Sequence, residues 1–186
     1  ENPTNIFIGT DTDENDTATG GPTSDATADL TVDGKGGNDV INTGSGNDVI
    51  IGGTGDDTIT SGAGADMIRG GLGTDTIDAG DGDDIIIVVG ITEDGQYEDS
   101  AITDPAGTGV DLSAVVALSN LNGQSVSEVV SGEVIDGGAG NNTLYIYGNV
   151  DFTGVTITNV TKVVINSTVT FTLEQLGEQG ITAIVG

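Results

Sequence analysis

Six aspartates recur at every ninth residue, and each is followed two residues later by an isoleucine. They lie in six consecutive nonapeptides that run from Gly34 to Ile87, as Asp39, Asp48, Asp57, Asp66, Asp75 and Asp84. Carboxylates in a regular series are typical of cation ligands, whereas general acid–base catalysis uses one pair with distinct environments. The pattern therefore predicts cation binding.

Each nonapeptide divides into a glycine-rich turn and a short strand. The fourth position is always glycine, which permits positive φ and close backbone approach; these residues are Gly37, Gly46, Gly55, Gly64, Gly73 and Gly82. Because side chains alternate across a strand, only the isoleucine of each unit points inward. Two nonapeptides should then form one coil, with a strand on each face and a turn on each side.

Stacked coils place the aspartates on two edges, in rows spaced about 4.8 Å apart. The first edge should carry Asp39, Asp57 and Asp75, and the second edge Asp48, Asp66 and Asp84. Like charges so close repel, and a bound cation relieves the repulsion. The chain has no His and no Cys, so the available donors are carboxylate and carbonyl oxygens. Such donors suit Ca²⁺ better than Zn²⁺ or Mg²⁺.

The unit GGxGxDxUx resembles the calcium-binding nonapeptide of RTX proteins. The resemblance covers residues 34–87 and implies a parallel β-roll with each ion between neighbouring turns of one edge. It implies four full pairs: Asp39 with Asp57, Asp48 with Asp66, Asp57 with Asp75, and Asp66 with Asp84. We expect about four to six calcium ions. Since one isoleucine per unit makes a thin core, the roll should be unfolded or labile without metal.

Some units depart from this pattern. Lys35 replaces the second glycine of the first unit, and Thr43, Ser61 and Ala79 replace the first glycine of theirs. A seventh unit, GGAGNNTLY, stands alone at residues 137–145 with Asn142 in the aspartate position. An asparagine keeps one oxygen ligand but loses the charge, so we expect a weaker ion there.

Four segments are predicted along the chain. Residues 1–33 form a lead-in, with a strand at 6–8, a loop between Gly9 and Ala28, and a strand entering the first coil at 30–32. Residues 34–89 form the β-roll. Residues 90–125 form an irregular acidic connection, in which Asp111 could cap a short helix over 112–118. Further calcium sites in the first and third segments remain open alternatives.

Residues 126–186 are predicted to be β-helical. The pairs Leu144/Ile146, Val163/Ile165 and Thr182/Ile184 recur at a spacing of 19, close to the length of two nonapeptides, with a brief helical turn at 173–176. The fold class is therefore all-β, a parallel β-roll continuing into a right-handed β-helix-like segment.

The outward-pointing residues differ between the two faces of the roll. Units two, four and six present mainly apolar residues, including Val49, Met67 and Ile87, so this face should be covered by residues 90–186 or by another molecule. The opposite face carries Thr58 and Thr60 among other polar residues, which leaves ice binding as a minor alternative.

The chain is strongly acidic, with a formal net charge of −27 from 30 acidic and 3 basic residues. Nucleic acid and anionic membranes are therefore unsuitable partners. No apolar stretch approaches 18 residues, so membrane insertion is not expected. The absence of His and Cys, with no phosphate-binding or nucleophile-elbow motif, argues against an enzyme.

The alternation of calcium nonapeptides with Thr- and Val-rich coils is similar to bacterial surface-layer proteins and giant RTX adhesins. This second resemblance rests on residues 137–177. Together the resemblances imply a secreted protein of the bacterial cell surface that folds with calcium and self-assembles into a homo-oligomer or polymer. The alternatives are an accessory module of a secreted enzyme or toxin and a carbohydrate- or ice-binding surface.

Overall fold

The chain folds as a parallel β-solenoid of about six turns. The computed structural model describes residues 5–8, 15–17, 27–90, 127–165, 169–171, 181 and 183–185. Within these residues the secondary structure is all β, which confirms the predicted fold class. No helix long and apolar enough to cross a bilayer occurs in this described part.

One face of the solenoid is an eight-stranded parallel sheet. Its strands, in spatial and chain order, are β1 (Asn5–Ile8), β3 (Leu30–Asp33), β5 (Val49–Thr54), β7 (Met67–Leu72), β9 (Ile85–Val89), β11 (Thr143–Tyr147), β14 (Lys162–Ile165) and β16 (Ala183–Val185).

The opposite face is a six-stranded parallel sheet. It consists of β2 (Asn15–Thr17), β4 (Val40–Asn42), β6 (Thr58–Thr60), β8 (Thr76–Asp78), β10 (Val134–Asp136) and β13 (Thr156–Thr158). A separate two-stranded pair joins β12 (Val150–Asp151) and β15 (Val169–Thr170).

Each coil of the roll contains two nonapeptides, as the sequence predicts. On the six-stranded sheet Ile41 pairs with Ile59, and on the eight-stranded sheet Ile50 pairs with Ile68. Both pairs are 18 residues apart, so each isoleucine stacks on its equivalent in the next coil. The register puts one isoleucine of every unit into the space between the sheets.

The core is a double column of inward side chains. Ile41, Ile59 and Ile77 from the six-stranded sheet face Ile50, Ile68 and Ile86 from the eight-stranded sheet, and all six are buried. The columns continue beyond the roll through Ile135 and Leu144. The inward position predicted from the period is therefore confirmed in every one of the six units.

The apolar outward face of the eight-stranded sheet is buried, as expected from its composition. A second apolar cluster there contains Ile51, Met67, Ile87, Val89, Tyr145 and Tyr147. Arg69, on the same face, is also buried, and its Nε donates to Oε1 of Glu128 at 2.8 Å. The other carboxylate oxygen of Glu128 accepts the N–H of Val89 at 2.7 Å.

The solenoid continues without a gap across the segment 91–126. Strand β9 pairs with β11, and β8 pairs with β10, so coils on either side of this segment are adjacent in space. Residues 127–165 thus belong to the same solenoid as the roll, which agrees with the predicted β-helical segment. The acidic cluster and short helix predicted within 90–125, and the helical turn at 173–176, lie outside the described residues.

Two details of the sequence prediction are wrong. The loop predicted between Gly9 and Ala28 contains β2, which pairs with β4. The spacing of 19 holds for Leu144 and Val163, but Val163 pairs with Ile184 rather than with residue 182. Coils that lack the glycine-rich turn of the nonapeptide have no fixed length, so the position of the next strand cannot be extrapolated from the repeat.

Candidate metal centre

The aspartates of the first edge form a ladder along the solenoid. The N–H of Asp39 donates to Oδ1 of Asp57 at 2.8 Å, and the N–H of Asp57 donates to Oδ1 of Asp75 at 3.0 Å. Each carboxylate therefore reaches the turn 18 residues earlier in the chain. The structure brings together the three residues that the sequence placed on this edge.

The aspartates of the second edge form an equivalent ladder. The N–H of Asp48 donates to Oδ1 of Asp66 at 2.8 Å, and the N–H of Asp66 donates to Oδ1 of Asp84 at 2.9 Å. Asn142 extends the row, since its Oδ1 accepts the N–H of Asp84 at 2.9 Å. At the other end Leu30 donates its N–H to Oδ1 of Asp48 at 2.8 Å.

The glycines at the fourth position allow the turns to stack this closely. All six have positive φ, between 108° at Gly37 and 153° at Gly82. A Cβ atom on Gly55 would lie 2.0 Å from the carbonyl oxygen of Gly37 in the neighbouring coil. Only glycine fits such an approach, and it brings backbone carbonyl oxygens to the same edges as the carboxylates.

The second oxygen of most ladder carboxylates has no hydrogen-bond donor. These buried Oδ2 atoms belong to Asp48, Asp57, Asp66, Asp75 and Asp84. An ionised oxygen buried without a donor is costly, so each of these atoms requires a proton or a cation.

Burial accordingly raises the pKa of the ladder carboxyl groups. It raises the pKa of Asp57 and of Asp75 to about 7 and that of Asp84 to about 6. Burial also raises the pKa of Asp48 and of Asp66, although the nearby hydroxyls of Thr43 and Ser61 offset part of the shift. Neighbouring carboxylates add to the effect at Asp57, where Asp75 and Asp39 disfavour a further negative charge.

A fourth acidic residue on the first edge was missed from the sequence. Strand β10 pairs with β8, with Val134 opposite Thr76. Glu133, the residue before β10, therefore lies in the same row as Asp75, the residue before β8. Glu133 is buried, and burial together with the charge of Asp75 raises its pKa to about 8. The sequence does contain a signal for this position. Ile135 follows Glu133 by two residues and precedes Leu144 by nine, which is the spacing of the repeat, although the glycines that mark the other units are missing.

A second ladder at the fifth position of the units was also missed. Oδ1 of Asn38 accepts the N–H of Asp56, and Oδ1 of Asp56 accepts the N–H of Thr74, at 3.0 and 2.8 Å. On the second edge Oδ1 of Asn47 accepts the N–H of Ala65 at 2.8 Å. These exposed side chains tie neighbouring turns together beside the buried row.

Three of the four units that lack the first or second glycine accommodate the change through local contacts. The hydroxyl of Thr43 donates to the carbonyl of Ser61 at 2.9 Å, and that of Ser61 donates to the carbonyl of Ala79 at 2.7 Å. Lys35 adopts a φ of 75° and forms an ion pair with Asp33. The turns keep their stacking in each case.

Comparison with protein families supports this geometry. The family model of the RTX calcium-binding nonapeptide repeat, in four copies, matches residues 33–68, 60–87 and 131–145. The matched segments are similar to this repeat and together cover less than half of the 186-residue chain. The third match includes both Glu133 and Asn142. Comparisons with curated proteins and with solved structures returned no match.

The residues of the RTX turns fit calcium. RTX nonapeptides bind calcium. The atoms available here as metal ligands are hard oxygens, namely the carboxylates of the two ladders and the carbonyls of the glycine turns. Gly52 shows the arrangement, because a Cβ there would lie 2.4 Å from Oδ2 of Asp57 and 2.5 Å from the carbonyl oxygen of Gly70. A cation beside these oxygens would satisfy the carboxylate that lacks a donor.

Side chains alone do not make up a complete coordination shell. Among the described residues no group of three or more acidic, His or Cys side chains converges on one point. Along each ladder the carboxylate of one coil reaches the turn of the coil before it, and backbone carbonyl oxygens of the turns lie on the same edges. Calcium ligation, as the sequence predicts it, stays a prediction for the six aspartates and for Gly37, Gly46, Gly55, Gly64, Gly73, Gly82 and Asn142; the aspartates are Asp39, Asp48, Asp57, Asp66, Asp75 and Asp84.

Proposed function

We propose that this chain is part of an extracellular structural protein whose solenoid folds with calcium and then assembles end to end. The observation that carries the proposal is the pair of buried carboxylate ladders, in which five Oδ2 atoms lack a hydrogen-bond donor. At neutral pH a bound cation would stabilise such a structure, and calcium sites of extracellular modules are filled at roughly 10⁻⁴–10⁻³ M, the concentration range found outside cells. RTX calcium-binding proteins are typically secreted, in agreement with this location.

The last described strand of the eight-stranded sheet carries apolar side chains that could pack against further coils. Strand β16 pairs with β14 on one side, and its residues Ile184 and Val185 are 51% and 49% exposed. Strand β16 has no second partner strand among the described residues, and such an edge can pair with a further strand, either from more of the same chain or from a second molecule. Head-to-tail addition of a second solenoid would continue both sheets and give an open polymer.

The proposed role is non-catalytic. The carboxylates that could serve as acid and base are arranged in repeated rows, and their oxygens contact the backbone of neighbouring turns. The chain contains no His or Cys to act as base or nucleophile. A structural role uses the same rows as ion ligands.

Assembly can be tested by sedimentation velocity and electron microscopy of the purified chain at increasing calcium. We expect an expanded monomer in EGTA and ordered fibres or arrays at millimolar calcium. The variant Ile184→Lys should bind the same number of ions but remain monomeric, because its charge lies on the exposed end strand. A compact monomer at every calcium concentration would contradict the proposal and favour an accessory module of a larger secreted protein.

A further inference from the structure

Asn142 occupies the aspartate position of the isolated RTX unit at residues 137–145. Its Oδ1 accepts the N–H of Asp84 at 2.9 Å, and Oδ1 of Asp84 accepts the N–H of Asp66 at the same distance. The first side-chain oxygen of Asn142 thus plays the same part as those of the aspartates below it. The difference between these residues lies in the second terminal atom.

The second terminal atom of Asn142 is a hydrogen-bond donor with partners. Its Nδ2 donates to the carbonyl of Asn159 at 3.1 Å and approaches the carbonyl of Gly138 at 3.5 Å. In contrast, Oδ2 of Asp84 is buried and has no donor. The amide of Asn142 therefore forms hydrogen bonds to carbonyl oxygens with its own N–H groups. A carboxylate at the same position has no N–H group and depends on a proton or a cation.

The first glycines of two units allow a direct comparison. A Cβ on Gly52 would meet Oδ2 of Asp57 at 2.4 Å and the carbonyl oxygen of Gly70 at 2.5 Å. A Cβ on Gly137 would meet Nδ2 of Asn142 at 2.9 Å and the carbonyl oxygen of Asn159 at 2.5 Å. Beside Gly52, two oxygens lie close together. Beside Gly137, a nitrogen and an oxygen lie close together.

The next turn also satisfies Asn142 with protein groups. Residues 159–161 connect β13 to β14, which makes this turn shorter than the glycine-rich turns of the roll. The N–H and the hydroxyl of Thr161 both donate to the carbonyl of Asn142 at 3.0 Å, and the N–H of Lys162 donates to the same oxygen at 3.1 Å. This carbonyl therefore has three donors from the adjacent coil.

We infer that Asn142 ends the calcium ladder of the second edge and is not an ion ligand. Its amide supplies the hydrogen bonds that join the 137–142 turn to the next coil, in place of the weaker ion that its sequence position suggests. The coils that follow Asn142 on this edge are then held by protein contacts alone. The inference rests on the calcium binding of the RTX units and not on the proposed assembly.

The ion count by native mass spectrometry tests this inference at saturating calcium. We expect Asn142→Ala to bind the same number of calcium ions as the unmodified chain. Asp66→Asn, which places the same amide inside the ladder, should bind at least one ion fewer. Asn141→Ala alters the exposed neighbour and serves as the matched control with an unchanged count. Loss of an ion in Asn142→Ala alone would overturn the inference.

A second measurement covers the case in which Asn142→Ala does not fold. A crystal structure of the calcium-loaded, unmodified protein, with anomalous data, locates each ion directly. The inference requires Nδ2 of Asn142 within hydrogen-bond distance of the Asn159 carbonyl and no calcium at that turn. A calcium ion at roughly 2.3–2.6 Å from Oδ1 of Asn142 would overturn it.

Discussion

Each ladder aspartate has two carboxylate oxygens with different surroundings. Oδ1 of Asp57 accepts a backbone N–H from the neighbouring coil, whereas its Oδ2 is buried without a donor. The first oxygen fixes the orientation of the carboxylate, and the second is left for a cation. The same residue is therefore expected to determine both the stacking of the coils and their response to calcium.

A comparison of two aspartates tests whether each ion lies between successive aspartates of a ladder. Asp57 has a neighbour in the ladder on both sides, Asp39 and Asp75, so Asp57→Ala should lower the calcium count by two. Asp39→Ala should lower it by one, because Asp39 belongs to one of the predicted pairs. Isothermal titration calorimetry and native mass spectrometry measure both counts.

The matched control for these variants is Asp56→Ala. It removes the same charge from the same turn, but Asp56 is exposed and its Oδ1 accepts the N–H of Thr74. Its ion count should equal that of the unmodified chain. An equal loss of ions in Asp39→Ala and Asp57→Ala would refute the model of shared sites.

Two substitutions separate the cost of a steric clash between stacked coils from the cost of a strained backbone conformation. Gly55 and Gly44 both have positive φ, but a Cβ on Gly55 would lie 2.0 Å from a backbone oxygen while one on Gly44 meets nothing within 4 Å. We expect Gly44→Ala to lower the unfolding free energy by about 1–2 kcal/mol, the cost of left-handed backbone. Gly55→Ala should cost clearly more, because the two coils must move apart.

Chemical denaturation at saturating calcium measures both changes. The pair is well matched, since each substitution adds one methyl group to a glycine turn of the roll. Equal destabilisation in the two variants would show that close approach between coils does not limit the choice of residue at Gly55.

Arg69 and Glu128 join the outer face of the eight-stranded sheet to the start of the next coil. Both side chains are 3% exposed, so loss of one partner leaves a buried charge. Arg69→Met or Glu128→Gln alone should cost about 3–5 kcal/mol of unfolding free energy. The double variant should cost less than the two single losses combined, which a double-mutant cycle detects. Additive losses would indicate that the two residues act independently.

The elements that the sequence predicts well are those that follow a strict period. Nine-residue spacing determines the 18-residue coil, the inward isoleucines and the membership of both ladders. Glu133 was missed because its unit has lost the glycine turn, and β2 because a polar strand such as Asn15–Thr17 has no apolar alternation. The pairing of Val163 with Ile184 was missed because coils without the fixed turn vary in length.

At the scale of the whole molecule, we expect the buried carboxylates to couple folding to both protons and calcium. The folded-state pKa of Asp57 and Asp75, about 7, lies above the ordinary value of 3.8. The folded chain without calcium therefore binds protons more tightly than the unfolded chain. Its stability is highest below the unfolded pKa and is lost as pH rises through the folded pKa. Calcium has the opposite dependence, since it needs these carboxylates ionised.

Two opposite pH trends are therefore expected from one set of residues. In EGTA, β-structure measured by circular dichroism should increase as the pH falls from 8 to 5, still above the isoelectric point of about 4.1. In calcium titrations, the midpoint concentration should rise by about tenfold between pH 8 and pH 6 for each carboxylate with a pKa near 7 that must ionise. The variant Asp75→Asn removes one such group and should flatten the calcium trend. A calcium midpoint independent of pH, together with no gain of structure in EGTA, would show that the ladder carboxylates are already ionised in the folded chain without metal.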